Sequence, residues 1–280
     1  MATATIGEVI EGDRLALVVT GVERTTDIGT FASAGSGDEF VVVELAAKNE
    51  SADQHVLFSS FLQAKLRDAD GYAYDKRVFN EGNTLGTGEL VPGEVTRGRI
   101  VFEVPEGTGG LSLRLDLDGS VFSYTRADVD LSREATRAGR RLTQDLRVPV
   151  HEVGETLAFR GSRLTVHAVD AQSRIGVFTP DSGEQFLVAD LTVGNRGDEE
   201  IPVSTFFQMA VKDGTGRTSP VAVWATGAMD RGFAQGQPVA AHSSRRGTVA
   251  FAVERDASPL YLAMDFDLLR LDDKQFVRLR

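Results

Sequence analysis

Apolar residues along this chain recur at every second position, in short runs that stop at turn residues. Leu15, Leu17 and Val19 occupy alternate positions, and so do Leu164, Val166 and Ala168. A period of two is the strand period, because successive side chains on a pleated strand point to opposite faces. Phe40-Val41-Val42-Val43-Glu44-Leu45 and Phe186-Leu187-Val188-Ala189-Asp190-Leu191 are rich in β-branched residues and predict central strands closed by Asn49 and Asn195. The runs Arg99–Val104 and Thr248–Val253 again place apolar residues on one face, and Leu111, Leu113, Leu115 and Leu117 alternate with Ser112, Arg114 and Asp116. Between the runs stand Asp68-Ala69-Asp70-Gly71, Val91-Pro92-Gly93, Pro105-Glu106-Gly107 and Asp213-Gly214-Thr215-Gly216, residues that tight turns select. Short strands at this spacing without a long helical pattern predict an all-β, antiparallel sandwich.

The pattern occurs twice. Ile6-Gly7 through Ile28-Gly29-Thr30-Phe31 aligns without a gap on Val153-Gly154 through Ile175-Gly176-Val177-Phe178. The match continues through Phe40/Phe186, Leu45/Leu191, Asn49/Asn195, Phe61/Phe206 and Gln63/Gln208 to Gly98/Gly247, Phe102/Phe251, Leu113/Leu262 and Asp116/Asp265. A repeat that long means two copies of one domain. The expected organisation is two tandem immunoglobulin-like β-sandwiches, 1–131 and 148–280, joined by a linker or strap over 132–147. The Cys…Trp…Cys pattern of antibody domains is absent, so the likeness is to the sandwich in the loose sense. Phe40, Phe186, Phe102 and Phe251 are all expected to be buried. The linker is polar and locally basic, with Arg133, Arg137, Arg140, Arg141 and Arg147, and Ser132 could cap a short helix. Two readings fit it: a strap lying on acidic domain surfaces, or a docking site for an anionic partner or lipid headgroups.

These features resemble a family of secreted immunoglobulin-like domains of unknown function, found in bacterial and archaeal envelope lipoproteins and similar in fold to a secreted mycobacterial immunogenic protein. The resemblance rests on Gly7 and Gly154 in the first strand, and on the strands Phe40–Asn49 and Phe186–Asn195. It also rests on aromatics before a D-x-x-G hairpin (Phe58 and Phe61 to Asp68 and Gly71; Phe206 and Phe207 to Asp213 and Gly216). Last come Gly93, Gly98, Phe102 and Val104, with Gly247, Phe251 and Val253. It covers nearly the whole chain and implies an extracellular or cell-surface location, without supplying any catalytic residue. The chain lacks the lipid-accepting cysteine of such lipoproteins, and Met1-Ala2-Thr3-Ala4-Thr5 does not resemble a signal peptide, so an export signal or anchor is presumed to lie outside this sequence.

Charge narrows the partners. The chain carries 30 basic and 41 acidic residues, a net charge of −11, and only five of the basic residues are lysines. Such a balance argues against a nucleic-acid groove, which needs a concentrated basic face. Arginine over lysine with excess acid fits a halophilic, GC-rich source. No stretch has the length and apolarity of a membrane-spanning helix. Partners are expected to be a protein or another component of the cell envelope, with self-association through strand edges as the alternative.

Convergent chemistry is thin, and neither an enzyme nor a cofactor is expected. There is no cysteine, and His55, His151, His167 and His242 show no metal-site spacing. Gly35-Ser36-Gly37 lacks the strand and helix of a nucleophile elbow. Asp68 and Asp70, with Asp75 nearby, invite a calcium reading, but Asp and Gly also suit a hairpin turn, and the second copy keeps the turn while losing a carboxylate. The most asymmetric region follows that turn. Gly71 and Gly98 enclose 26 residues, whereas Gly216 and Gly247 enclose 30, and the longer segment holds the only tryptophan. Trp224, Met229 and Phe233 are the candidate partner-contact residues. The bland alternative, that they cap a core or fill a domain interface, is preferred and predicts a protected Trp224.

Overall fold

The computed structural model describes residues 2–29, 32–78, 84–117, 125–134, 141–233, 236, 238–266 and 273–280, apart from the side chains of Ala2, Phe61, Leu62 and Glu134. The chain divides into two compact units, Met1–Arg147 with Thr215–Arg217, and Val148–Gly214 with Thr218–Arg280. Each is a sandwich of two mostly antiparallel sheets. In the first unit one sheet runs Ala2–Ile6, Arg126–Glu134, Ser112–Asp116, Ala64–Arg67, Ala73–Tyr74. The other runs Lys76–Arg77, Val95–Pro105, Asp38–Asn49, Leu15–Thr25, Ile10–Glu11. The second unit repeats the order except that, among the described residues, its second sheet has no strand equivalent to Lys76–Arg77. One sheet is Val150–Glu152, Lys274–Arg278, Leu260–Asp265, Met209–Asp213, Thr218–Pro220, and the other is Thr156–Phe159, Ser162–Gln172, Glu184–Asn195, Ser244–Glu254. In both copies the first strand pairs parallel to the last. No helix among the described residues is long and apolar enough to cross a membrane.

Detail repeats along with topology. The pairing of Leu15–Thr25 shifts between Val19 and Gly21, and that of Ser162–Gln172 shifts at the equivalent place, between Val166 and Ala168. Each bulge leaves one residue, Thr20 or His167, outside the ladder and turns the strand's outer end. Asn49 and Asn195 are buried, and each amide donates twice: to Gln54 O and Leu90 O at 2.7 and 2.8 Å, or to Glu199 O and Val239 O at 2.7 and 3.0 Å. Each amide bridges two backbone carbonyls from different segments and so ties the following loop to the sandwich. Gln63 and Gln208 do the same for a short helical turn, accepting from Ser59 N and Ser204 N at 2.7 and 2.8 Å.

Phe102 and Phe251 lie fully buried between the sheets, with Leu17, Leu45 and Leu113 in one copy and Leu164, Leu191 and Leu262 in the other. Phe40 and Phe186 are buried too, but on the opposite face of their sheet. Phe40 joins Val42 and Val101 under Ile28 and Ala34, while Phe186 joins Val188 and Ala250 under Ile175 and Ala225. The outer face thus carries its own small core at that end.

The other end of the outer face distinguishes the copies. In the first, Ala16, Val18, Ala46 and Val95 are covered by Leu142 of the segment 141–147. That segment is held by Gln144, whose side-chain carbonyl accepts from Val95 N at 2.7 Å, and by Asp145 against Lys48 at 2.7 Å. Arg147 adds hydrogen bonds to Glu50 O and Ser51 O at 2.9 and 3.0 Å. Burial pushes the Asp145 carboxyl up, but Lys48 and Arg147 outweigh it and hold the group below its usual value. In the second copy the same positions are Arg163, Thr165, Thr192 and Ser244, and the face is open. Burial follows: Leu45–Asn49 is buried at every residue, whereas Leu191–Asn195 alternates.

Two sequence expectations change. Ser132 lies in the strand Arg126–Glu134, where its hydroxyl donates to Asp130 at 2.6 Å, so it does not cap the short helix open to the linker as one of its two forms; residues 135–140 lie outside the described residues. The aromatics before the two hairpins are not equivalent either. Phe58 is buried, but Phe206 and Phe207 are exposed and meet edge-to-face at 4.9 Å. Phe61's side chain falls outside the description.

Candidate functional site

The extra residues of the second copy build a flap over the edge of Ser244–Glu254. Val221 bridges to Phe251 and Gly232 to Thr248, with Ala222 N donating to Ala250 O at 2.8 Å and Phe233 N to Thr248 O at 2.9 Å. An edge strand presents unpaired backbone groups, and the flap covers them. Between the two bridges lies a short helix, Val223–Gly227. Its Ala225 and Thr226 face the sheet. Ala225 packs in the outer core beside Phe186, and the Thr226 hydroxyl accepts from Ala250 N at 3.0 Å. Gly232 is required here, since a Cβ would lie 2.0 Å from Thr226 O.

Because Ala225 and Thr226 point down, Trp224 points out. It is 79% exposed. The protected tryptophan expected from the sequence is therefore replaced by an exposed one. The three candidate contacts separate. Phe233 is buried in the sandwich core with Arg245 stacked over its ring at 4.9 Å, so it is a packing residue and no surface contact. Met229 is half-buried against the outer core. Beside the flap, the turn Ile175–Phe178 closes with hydrogen bonds of 3.0 and 2.9 Å and presents Val177, also 79% exposed. A bulky aromatic and an aliphatic side chain thus rise from a pinned, packed base.

The remaining candidates serve their own turns. Asp68 accepts from Tyr72 N and from the Tyr74 hydroxyl, both at 2.9 Å, and Gly71 takes the left-handed conformation of a hairpin turn, with φ +85°. Burial pushes the Asp68 carboxyl up, and the hydrogen bonds from Tyr74, Tyr72 and the turn prevail and lower it. Among the described residues no three His, Cys, Asp or Glu side chains converge as a metal site. The histidines lie apart, with His167 donating to or accepting from Thr192 at 2.8 Å and His242 paired with Asp198 at 3.0 Å. Of the linker arginines, Arg133 pairs with Asp130 at 3.5 Å and Arg147 with Glu50 at 3.2 Å. Arg137 and Arg140 lie outside the described residues.

The domain of unknown function DUF4352 matches both halves, over residues 4–127 and 151–273. The chain belongs to this family. Similar solved structures include the yjhA protein of Bacillus subtilis, 17% identical, covering 47% of this chain and 100% of that one at a TM-score of 0.37. The secreted protein MPT63 of Mycobacterium tuberculosis is 16% identical over 46% of this chain and 95% of its own, at 0.36. A putative lipoprotein of Bacillus subtilis, ycdA, is 12% identical over 66% and 72%, at 0.37. A comparison with curated proteins gives no match.

Within the DUF4352 pair, the features that repeat are structural: the bulge, the buried asparagine, the glutamine-pinned turn. A further repeat joins Arg97 to Glu44 at 3.2 Å and Arg246 to Asp190 at 2.9 Å, on equivalent positions of neighbouring strands. Besides the segment that covers the first copy's outer face, the features that differ between the copies are the flap and one end of the second sandwich. The second of these was not nominated from the sequence, although discordant residues at matched positions mark it: Gly12 against Phe159, Leu15 against Ser162, Phe58 against Val203.

Proposed function

We propose that the chain is a non-enzymatic binding module of the cell envelope or extracellular space, and that the Trp224 face contacts a protein or envelope partner. The carrying observation is Trp224 itself, 79% exposed on a flap fixed to the sheet by bridges on either side. A rigid aromatic anchor loses little conformational freedom on binding and gains its burial, which is why tryptophan dominates hot spots. The family resemblance supports the envelope location.

Strand-edge assembly is the weaker reading. Several edges are only two or three residues long, Ile10–Glu11, Lys76–Arg77, Ala73–Tyr74 and Thr218–Pro220, and the edge of Ser244–Glu254 is covered by the flap. Short or covered edges are poor templates for pairing.

Trp224 is the only tryptophan and reports on its own face. The isolated protein should sediment as a monomer and emit like indole in water. Mixing with envelope fractions of its source should shift emission to the blue and retain the protein, and Trp224→Ala should abolish retention without changing the fold. Equal retention of both forms would remove the Trp224 face, and concentration-dependent self-association would favour assembly.

A further inference from the structure

A second feature, independent of the Trp224 face, lies at one end of the second sandwich. There a cleft of about 440 Å³ opens between the sheets, walled by Phe159, Ile201, Pro202, Met264 and Phe266, with Arg160 at its edge. The first copy has the same backbone pairing at this end: Gly12 opposes Leu15 as Phe159 opposes Ser162. Its end is filled. Leu15, Phe58 and Leu117 are each at most 2% exposed, and a Cβ added at Gly12 would lie 2.8 Å from the Cβ of Leu117 and 2.9 Å from its carbonyl oxygen.

The second copy changes each of these positions. Leu15 becomes Ser162 and Phe58 becomes Val203, which shortens the interior side chains. Gly12 becomes Phe159 and Leu117 becomes Phe266, which raises aromatic walls. A side chain as large as phenylalanine cannot occupy the Gly12 position while the opposite strand stays as close as it does in the first copy. The rings of Phe159 and Phe266 instead face each other, with centroids 6.1 Å apart and planes inclined by 25°. The pinning glutamine reflects the same change, since Gln63 donates to Asp116 O whereas Gln208 reaches one residue further, to Phe266 O.

Arg160 gives the cleft a polarity. It follows Phe159 directly in the two-residue hairpin Arg160-Gly161 and takes the left-handed backbone, φ 45°, a conformation unusual for a long side chain. Its guanidinium stands 5.3 Å over the Phe159 ring. A mainly apolar cleft of this volume with one cationic side chain at the rim is the composition of a small-molecule site, in which apolar walls supply affinity and the polar group sets orientation.

We propose that this cleft binds a small anionic amphiphile, its apolar body between Phe159, Ile201 and Phe266 and its carboxylate on Arg160. The anionic class follows from the arginine. In a chain of net charge −11, a cationic amphiphile would be held by the surface at large rather than by this cleft.

Calorimetric titration of the full chain with decanoate and decyltrimethylammonium, each below its micellar concentration, and with decanol below its solubility limit, tests this. Decanoate should bind at one site per chain, about tenfold more tightly than decanol, as a charge-assisted hydrogen bond requires. Decyltrimethylammonium should show no saturable site. Arg160→Asn, whose side chain tolerates the left-handed backbone, should reduce decanoate to the level of decanol. Ser162→Leu, which restores the first copy's residue, should abolish both, and Val203→Phe should do so if Ser162→Leu disturbs folding as judged by its melting curve. No decanoate binding, equal binding of all three probes, or binding indifferent to these variants would overturn the proposal.

Discussion

Phe102 and Trp224 stand at opposite extremes of burial, 0% and 79% exposed, and their truncations should separate accordingly. Phe102→Ala, or its counterpart Phe251→Ala, should cost about 3–5 kcal/mol in urea unfolding, because the cavity left between two sheets cannot collapse. Trp224→Ala should change stability by about 0.5 kcal/mol or less. A comparable loss at Trp224 would mean that the ring is packed. Charge at single residues is legible through pH. Arg114 holds Asp128 in a paired contact, 2.8 and 2.9 Å, and its hydrogen bonds lower the Asp128 pKa against the opposing effect of burial. A folded-state pKa below the unfolded one means stability that is complete above the unfolded value and is lost as pH falls through the folded one. Asp128→Asn should therefore cost about 1 kcal/mol near neutrality, and the difference from the parent should begin to shrink as pH falls below about 4 and vanish only once pH is below the lowered folded-state pKa. A difference constant into acid would show that the pair contributes through shape alone.

Elements carry most of what the sequence made legible. Period-two alternation located the long strands, since each has one face on the sandwich core, and Leu113 and Leu115 alternate in burial as the pattern requires. Coincident positions in the repeat report the shared fold, so they gave Phe102/Phe251 and Asn49/Asn195 without naming any site. The discordant positions hold the differences. Ala16 and Val18 against Arg163 and Thr165 tell which copy's outer face is covered, and Gly12 against Phe159 tells which end is open. What stayed hidden is the direction of Trp224, because a helix of five residues spans barely more than one turn and shows no periodicity. The covering segment can be tested through Gly93, which has φ +79° and where a Cβ would lie 2.1 Å from Asp145 O. Gly107 has nearly the same φ, +77°, with nothing within 4 Å, and is its control. Gly107→Ala should cost only backbone strain, about 1 kcal/mol. Gly93→Ala should cost about 2 kcal/mol more and speed proteolysis within 141–147, as the segment lifts from Ala16, Val18 and Val95. Equal costs would mean that the segment contributes little to the fold.

For the molecule as a whole the dominant quantity is charge, 41 acidic against 30 basic residues. Some of the acids are paired with arginines, as in Arg114–Asp128, Arg97–Glu44 and Arg246–Asp190, and these attractions weaken when salt is added. The unpaired remainder repels itself, and salt relieves that repulsion over the same range, since the screening length is about 10 Å at 0.1 M and about 3 Å at 1 M. The two effects oppose each other, and their magnitudes decide the sign. Exposed pairs are worth about 0–1 kcal/mol each, whereas a net charge of −11 acts between many groups at once and destabilises the compact state. The melting temperature should therefore rise between low and moderate sodium chloride. A halophilic origin makes the stronger demand that it keep rising into molar salt, where screening is already complete and exclusion of salt from the protein surface takes over. Calorimetric scans from low to molar sodium chloride separate the cases. A continuous rise supports halophilic adaptation, and a plateau once screening is complete leaves charge repulsion alone. A flat or falling curve would show that the surface ion pairs outweigh the excess and would remove the halophilic reading, leaving arginine usage as a matter of coding bias.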